Sequence, residues 1–191
     1  MPADFDRAAH ALRKLRVGNY RGLVFATFSD DGEAIANYIG PVMAGLINRI
    51  FHKLVEDLVF TRQCSNFNWN LYLENLKEPD HASLPHPFHT TVNSFRIGMK
   101  THCVGDGRGG IHSIIMAIKQ DQGDTSAACS DQKIRSYDSG FVLQDDSVLA
   151  LIARYEVVAT NHIQPIFPQL VIQQIHNSLV ARQLLPRGVA H

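Results

Sequence analysis

Two histidines five residues apart, His81 and His86, are the side chains of this sequence best suited to chemistry. Glu78 and Asp80 precede them closely. Two imidazoles and one carboxylate, with open positions left over, are the ligands of mononuclear non-heme Fe(II) sites. Residues five apart on a regular α-helix point about 140° away from each other, so the segment must bend for both histidines to reach one ion. Pro85 favours such a bend because it lacks an N–H.

The spacing alone also fits a simpler interpretation. The chain contains 10 histidines among 191 residues, so pairs at any fixed spacing arise by chance. Two solvated loop histidines beside surface carboxylates would need no metal. The choice between the two interpretations therefore depends on the elements around the pair and on the surrounding sequence.

The composition predicts a folded domain and excludes several functional classes. Hydrophobic residues make up 45% of the chain and charged residues 19%, as in globular proteins. Basic and acidic residues number 18 each, which argues against a broad nucleic-acid-binding or membrane-binding surface. No apolar run is long enough to span a bilayer. Three widely spaced cysteines suit a reducing compartment, so we expect a cytoplasmic protein.

The apolar patterns predict a mixed chain of strands and helices. The predicted elements, in chain order, are a strand at 20–28, a helix within 33–58 with Pro41 in its first turn, a strand at 57–65, a helix within 66–81 that Pro79 interrupts, a strand–turn–strand at 101–119, and a hairpin at 168–186 that turns at 176–178. This inventory favours an α+β fold, in which a few helices pack on an antiparallel sheet.

The segment around the histidines has a specific resemblance. Residues 68–91 read NWNLYLENLKEPDHASLPHPFHTT. This wording resembles the iron-site segment of the large (alpha) subunits of Rieske-type aromatic-ring-hydroxylating oxygenases, in the branch that acts on anthranilate-like or salicylate-like aromatic carboxylates. Four further stretches resemble the same branch in the same order: DFDRAAHALRKLRV, YRGLVFATFSDD, KIRSYDSGF and IFPQLVIQQIHNSLVARQLLPRG. The resemblance therefore covers nearly the whole chain.

The resemblance implies roles for individual residues. His81 and His86 match the two iron-ligating histidines of the family, and Asn75 matches a polar residue near the iron. Glu78 stands where the family has an aspartate that links the iron site to the Rieske cluster of a neighbouring subunit. The candidate substrate-pocket residues, for which core packing is an equal interpretation, are Phe88, Val92 and Phe95.

The sequence also departs from the family pattern. Asp80 and Pro85 replace a tyrosine and a leucine beside the ligands, which could disturb the ligand geometry. The C-x-H and C-x-x-H motifs that bind a Rieske 2Fe–2S cluster are absent from this sequence. We expect residues 1–19 to be a lead-in that follows a Rieske domain, and 20–191 to be a partial catalytic domain. The third, carboxylate ligand is expected after residue 191, since the acidic stretch at 143–146 comes too early.

By resemblance, the fold is helix-grip-like, and the function is O2-dependent hydroxylation of an aromatic carboxylate at mononuclear Fe(II). The family takes electrons from NAD(P)H through a reductase or ferredoxin and the Rieske cluster, pairs with a small (beta) subunit, and forms trimers of large subunits. We expect this chain to be inactive when isolated. Two alternatives remain open: a metal-free module of the same fold that binds an apolar ligand or a protein, and a zinc hydrolase.

Overall fold

A computed structural model describes residues 6, 11–51, 59–78, 86, 89, 94–95, 99–107, 113–118, 159–176 and 178–187. The chain divides into two compact units, Met1–Leu54 and Val55–His191. Within the described residues, none of the helices has the length and apolar character needed to cross a lipid bilayer.

The first unit begins with a β-hairpin. Strand β1 (Arg16–Tyr20) pairs antiparallel with β2 (Leu23–Thr27). Arg21 and Gly22 form the connection, and both have positive φ, at 54° and 87°. Two consecutive positive φ values match the right-handed twist of the flanking strands. The single strand predicted at 20–28 is therefore wrong at its start, because the chain reverses at the glycine.

Two helices complete the described part of this unit. Helix α1 (Ile35–Ile39) and helix α2 (Pro41–Ile50) are separated by Gly40, whose φ is 76°. Pro41 is the first residue of α2, as predicted, since the missing N–H of proline has no helical partner at that position. The periodic apolar residues form the buried face: Ile39, Met43, Ile47 and Ile50.

The described part of the second unit starts with an extended segment from residue 59, followed by a short helix. Residues 59–65 belong to no strand, and Val59 and Phe60 are 81% and 88% exposed. The strand predicted at 57–65 is thus wrong for its described part, where the alternating residues pair with no strand. Helix α3 (Trp69–Asn75) confirms the next prediction. It starts at Asn68, whose side chain accepts a 2.9 Å hydrogen bond from the N–H of Asn70, a standard N-cap.

Among the described residues of this unit, five strands form an antiparallel sheet. Its strands follow one another in chain order, each paired with the next. They are β3 (Thr101–Gly105), β4 (Ser113–Ile118), β5 (Ala159–Ile166), β6 (Leu170–Ile175) and β7 (Ser178–Gln183). The sheet and the few helices confirm the α+β class, the strand–turn–strand at 101–119 and the hairpin that turns at 176–178.

Strand β5 was not predicted from the sequence. It runs between β4 and β6, and most of its residues are buried whichever face they occupy. The apolar core residues of this unit, among those that the structure describes, are Leu73, Phe95, Ile166, Val171 and Ile172. The buried polar residues are Ser94, Thr160, Asn161, His162, Gln164, Gln173, Gln174 and His176. The middle of the sheet is therefore unusually polar for a protein interior.

Candidate functional site

The end of α3 presents two of the predicted site residues. Asn75 is the last residue of the helix, and the N–H of Glu78 donates to its carbonyl at 3.3 Å. Lys77 Nζ lies 2.8 Å from Glu74 Oε1 in an exposed ion pair. Asn75 and Glu78 are both exposed. The backbone turns that follow α3 therefore hold the predicted electron-transfer carboxylate, Glu78, at the surface of this unit.

His86 and His89 lie side by side. Their ring centroids are 5.9 Å apart, and the rings are nearly perpendicular at 78°. The N–H of His89 donates a 3.0 Å hydrogen bond to the carbonyl of His86, so a local turn sets the spacing of the two rings. His86 is exposed and His89 is half-buried. The imidazole expected to bind metal is thus accessible, while its neighbour faces inward.

A chain of hydrogen bonds connects His89 to the sheet. Its Nδ1 lies 2.9 Å from Ser94 Oγ, and its carbonyl accepts from the N–H of Ser94 at 2.9 Å. The carbonyl of Ser94 in turn accepts a 2.6 Å hydrogen bond from Thr160 Oγ1 on β5. Ser94 and Thr160 are buried. This connection, the His89–Ser94–Thr160 tether, fixes the histidine segment to the central part of the sheet.

The surroundings of His89 keep its imidazole neutral at pH 7. Burial, as the largest cause, and the nearby His86, Arg182 and His176, in that order, together lower the pKa of His89 from 6.5 to about 4. Burial disfavours the charged imidazolium, and neighbouring cations add repulsion. The site therefore gathers several basic groups around one half-buried neutral histidine.

Arg182 on β7 connects the sheet to α3. Its Nη1 donates to Tyr72 Oη at 3.3 Å, across 110 residues of sequence. Its Nη2 donates to Gln173 Oε1 on the neighbouring strand β6. Gln173 itself donates from Nε2 to Asn161 Oδ1 of β5 at 3.4 Å. A row of polar side chains thus crosses three strands and ends at the helix that precedes the histidine segment.

His176 closes the turn between β6 and β7. Its φ is 50°, its N–H donates to the carbonyl of Thr160 at 2.9 Å, and its carbonyl accepts a 2.6 Å bond from Gln174 Nε2. His176 is buried. The turn therefore holds a third histidine near His89, from the opposite end of the sequence.

The expected metal ligands are only partly within the described residues. His86 is described, whereas His81 lies outside them, as do the candidate pocket residues Phe88 and Val92. Phe95 is buried, 6% exposed. Among the described residues, no group of three or more histidine, cysteine or acidic side chains is arranged to hold a metal ion. The exposed imidazole of His86 suits a ligand, but the described residues alone do not complete the expected set.

Sequence reasoning missed Arg182, Tyr72 and Thr160. The signal for Arg182 was present, because it is a charged residue within the apolar, β-rich run LVARQLL. An arginine inside such a strand is a candidate for a partly buried, paired role. Nothing in the sequence distinguishes Thr160 from other threonines, since its importance comes from a contact 66 residues away.

Several known proteins are similar to this chain over nearly its whole length. No protein-family model matches the chain. The chain is 60% identical over 188 residues to the "Anthranilate 1,2-dioxygenase large subunit" of Burkholderia cepacia, which covers 98% of the chain and 44% of that protein. It is 41% identical to the "Terephthalate 1,2-dioxygenase, terminal oxygenase component subunit alpha 2" of Comamonas sp, across 100% of the chain and 46% of the relative.

A more distant relative is the "Salicylate 5-hydroxylase, large oxygenase component" of Ralstonia sp. The two are 29% identical over 190 residues, which is 98% of the chain and 44% of that protein. All three similarities extend along essentially the entire chain, yet the chain spans less than half the length of each relative.

Proposed function

Because this chain is homologous, over nearly its whole length, to part of the large subunits of aromatic-ring-hydroxylating oxygenases, we propose that it is part of a catalytic domain that hydroxylates an aromatic carboxylate. The observation that carries the proposal is the 60% identity over 188 residues to the anthranilate dioxygenase large subunit. The three relatives are named for anthranilate, terephthalate and salicylate, which are all aromatic acids, and this supports the substrate class.

His81 and His86 would hold the mononuclear Fe(II). The iron, when bound, supplies the activation of O2. The chain's own contribution is to present neutral imidazoles at a fixed distance, and the exposed ring of His86 suits that task. The His89–Ser94–Thr160 tether would hold the histidine segment against β5. Residues that orient a metal ligand without contacting the metal commonly change the metal affinity tenfold or more.

Glu78 would serve the transfer of electrons into the site. Its carboxylate lies on the turn after α3, and its side chain is exposed. A surface carboxylate close to an iron ligand in sequence is well placed to accept a hydrogen bond from a neighbouring subunit. We propose that this neighbour carries a Rieske 2Fe–2S cluster, supplied by NAD(P)H through a reductase or ferredoxin, in an assembly of three large subunits with small subunits. The C-x-H and C-x-x-H ligand motifs of such a cluster do not occur in these 191 residues.

A hybrid protein tests the proposal. The matching 188-residue segment of the Burkholderia cepacia large subunit is replaced by this chain, and anthranilate consumption is measured with the small subunit and reductase of that enzyme. We expect hydroxylated product from the hybrid and none from its His86→Ala variant. The control is His102→Ala, which removes an exposed histidine on β3 and should leave product formation unchanged. A folded, iron-loaded hybrid that forms no product would contradict the proposal.

A further inference from the structure

We propose that strand β7 (Ser178–Gln183) is a self-association edge, along which two copies of this chain pair antiparallel and join their sheets. The inference goes beyond the proposed function, because the contact needs neither iron nor an aromatic acid. It has twofold symmetry and belongs to the 191-residue chain itself, so it is separate from the assembly of three large subunits proposed above.

Strand β7 is an outer strand of the described sheet. Among the residues that the structure describes, it pairs with β6 alone, in a register that runs without interruption from Ser178 to Gln183. Val180, Ala181 and Gln183 are exposed. An outer strand presents a row of N–H and C=O groups to which a strand of another chain can bind.

The alternation of the ladder identifies the backbone groups that face outward. The N–H of Leu184 donates a 2.8 Å hydrogen bond to the carbonyl of Gln169, which continues the register between β7 and β6. In an antiparallel pair, residues that bond to the partner strand alternate with residues whose N–H and C=O point away from it. Counting back from Leu184, the backbone groups of Leu179, Ala181 and Gln183 therefore point away from β6.

Strand β7 lacks the features that commonly protect an outer strand, which are lysines, prolines and bulges. Its sequence, SLVARQ, contains neither lysine nor proline, and its pairing with β6 has no register shift. Its one charged group, the guanidinium of Arg182, is bound to Tyr72 Oη and Gln173 Oε1. The outer strand on the other side, β3, follows Lys100 and ends at Gly105, and glycine weakens a strand.

One register makes β7 complementary to itself. A twofold axis at Ala181 places Leu179 opposite the partner's Gln183, and Val180 opposite the partner's Arg182. Residues that face each other then lie on the same side of the joined sheet, as the alternation of side chains requires. Each of the three outward pairs exchanges two hydrogen bonds, so the contact forms about six.

The neighbouring registers are less favourable. An axis at Arg182 would set two arginines directly opposite each other, and like charges in that position repel. An axis at Val180 would place Gln183 opposite the turn between β6 and β7, so the outward groups of Gln183 would find no strand. The axis at Ala181 is therefore the register that uses all the outward groups.

The side chains and the net charge also favour a second copy as the occupant. Val180 is 39% exposed, and in this register it packs on the aliphatic stem of the partner's Arg182. The chain contains 18 basic and 18 acidic residues, so its formal net charge is zero at pH 7. Two copies therefore approach each other without long-range repulsion.

Sedimentation velocity of the 191-residue chain tests the inference. The samples contain a reducing agent, because Cys64 and Cys103 are exposed. The wild type should be a dimer at about 100 µM and dissociate on dilution. Ala181→Lys sets two lysines opposite each other at the axis and should raise the dissociation constant at least about tenfold. Ala181→Pro removes an outward N–H but no bond to β6, and should have the same effect.

A charge exchange tests the register. Ala181→Glu alone should also weaken the dimer, whereas an equimolar mixture of Ala181→Lys and Ala181→Glu should restore it, because opposite charges then meet at the axis. Gln183→Lys is the matched control on the same strand. Its lysine lies opposite the partner's Leu179, so it should change the dissociation constant far less than Ala181→Lys.

Hydrogen exchange locates the contact. Exchange of the N–H groups of Leu179, Ala181 and Gln183 should slow as the chain concentration rises. The N–H groups of Val180 and Arg182, which face β6, should exchange at the same rate at every concentration. Far-UV circular dichroism verifies that each variant is folded.

Several results would overturn the inference. They are a wild type that stays monomeric at about 100 µM, an assembly that survives both Ala181→Lys and Ala181→Pro, and a mixture of the lysine and glutamate variants that associates no more tightly than either alone. Fe(II) affinity, measured separately, should be the same in the wild type and in Ala181→Lys, so failure of this inference leaves the proposed function intact.

Discussion

The hydroxyl of Thr160 donates a 2.6 Å hydrogen bond to the backbone carbonyl of Ser94, and this contact joins strand β5 to the histidine segment. Both residues are buried, at 5% and 0% exposure. Ser94 also contacts His89 through its backbone and its side chain. The sheet therefore determines where this histidine segment lies, although 66 residues separate the two ends of the bond.

Replacing Thr160 with valine should weaken the tether. The buried carbonyl of Ser94 would lose its donor, which we expect to lower the free energy of unfolding by about 1–3 kcal/mol. Urea denaturation of the wild type and the variant measures this loss. Thr160→Ser keeps the hydroxyl and should retain most of the stability. Thr101→Val, at the start of β3, is the control, and an equal loss in both valine variants would contradict a specific role for Thr160.

The stability of the metal-free chain should fall as the pH drops from about 6.5 to about 4. The pKa of His89 is lowered from 6.5 to about 4 in the folded protein, so the unfolded chain takes up a proton in this window before the native state does. Because His89 is half-buried, solvent screening limits its contribution to about 1–2 kcal/mol.

Comparison with His89→Gln isolates this contribution, since the other histidines remain in both proteins. Urea denaturation at pH 7 and pH 4.5 should show a smaller loss of stability in the variant than in the wild type. His102→Gln, which changes an exposed histidine, should behave like the wild type. An identical pH dependence in wild type and His89→Gln would contradict the neutral state assigned to the half-buried His89.

Glu78 should tolerate aspartate better than glutamine. In the hybrid large subunit, Glu78→Asp restores the family residue with its shorter reach, and we expect product formed per NADH consumed to be equal or higher. Glu78→Gln removes the charge and should lower this ratio at least several-fold. Glu74→Gln is the control, because Glu74 is also exposed and is paired with Lys77. An unchanged ratio of product formed to NADH consumed in Glu78→Gln would exclude the proposed role of Glu78 in electron transfer.

The 191-residue chain alone should not hydroxylate an aromatic acid. It has no C-x-H or C-x-x-H motif to bind an electron-supplying cluster, so a reductase and NADH have no route into the site. Liquid chromatography of reactions with anthranilate, with and without added Fe(II), measures this. Hydroxylated product that depends on the reductase would show that another electron path exists.

Much of the second unit was predictable because its patterns are local. Helix α3 follows from the cap at Asn68 and a short apolar stripe, and the hairpin of β6 and β7 follows from two β-rich runs around 176–178. The histidine pair was predicted from its spacing and from the resemblance of the surrounding residues to the family's iron-site segment. In each case the residues that determine the structure are close together in the sequence.

Strand β5 and Arg182 depend on distant partners and were missed for that reason. Asn161, His162, Gln164 and Pro165 give β5 a polar sequence with no alternation, yet the strand is buried between two neighbours. Pro165 is tolerated because it lies beyond the β4 pairing, which ends at Ile163. The polar residues of β5 indicate a site only when their hydrogen-bond partners are known, and those partners, such as Ser94 and Gln173, lie far away in the sequence.

Anaerobic equilibrium dialysis against Fe(II) tests directly whether His81 and His86 are iron ligands. The chain is dialysed as wild type, as the His81→Ala/His86→Ala double variant, and as a control in which His102 is replaced by alanine. We predict that the wild type and the control bind Fe(II) with the same affinity, and that the double variant loses this binding at least about tenfold, since two imidazole ligands are removed. Equal Fe(II) affinity in the wild type and the double variant would contradict the assignment of His81 and His86 as iron ligands.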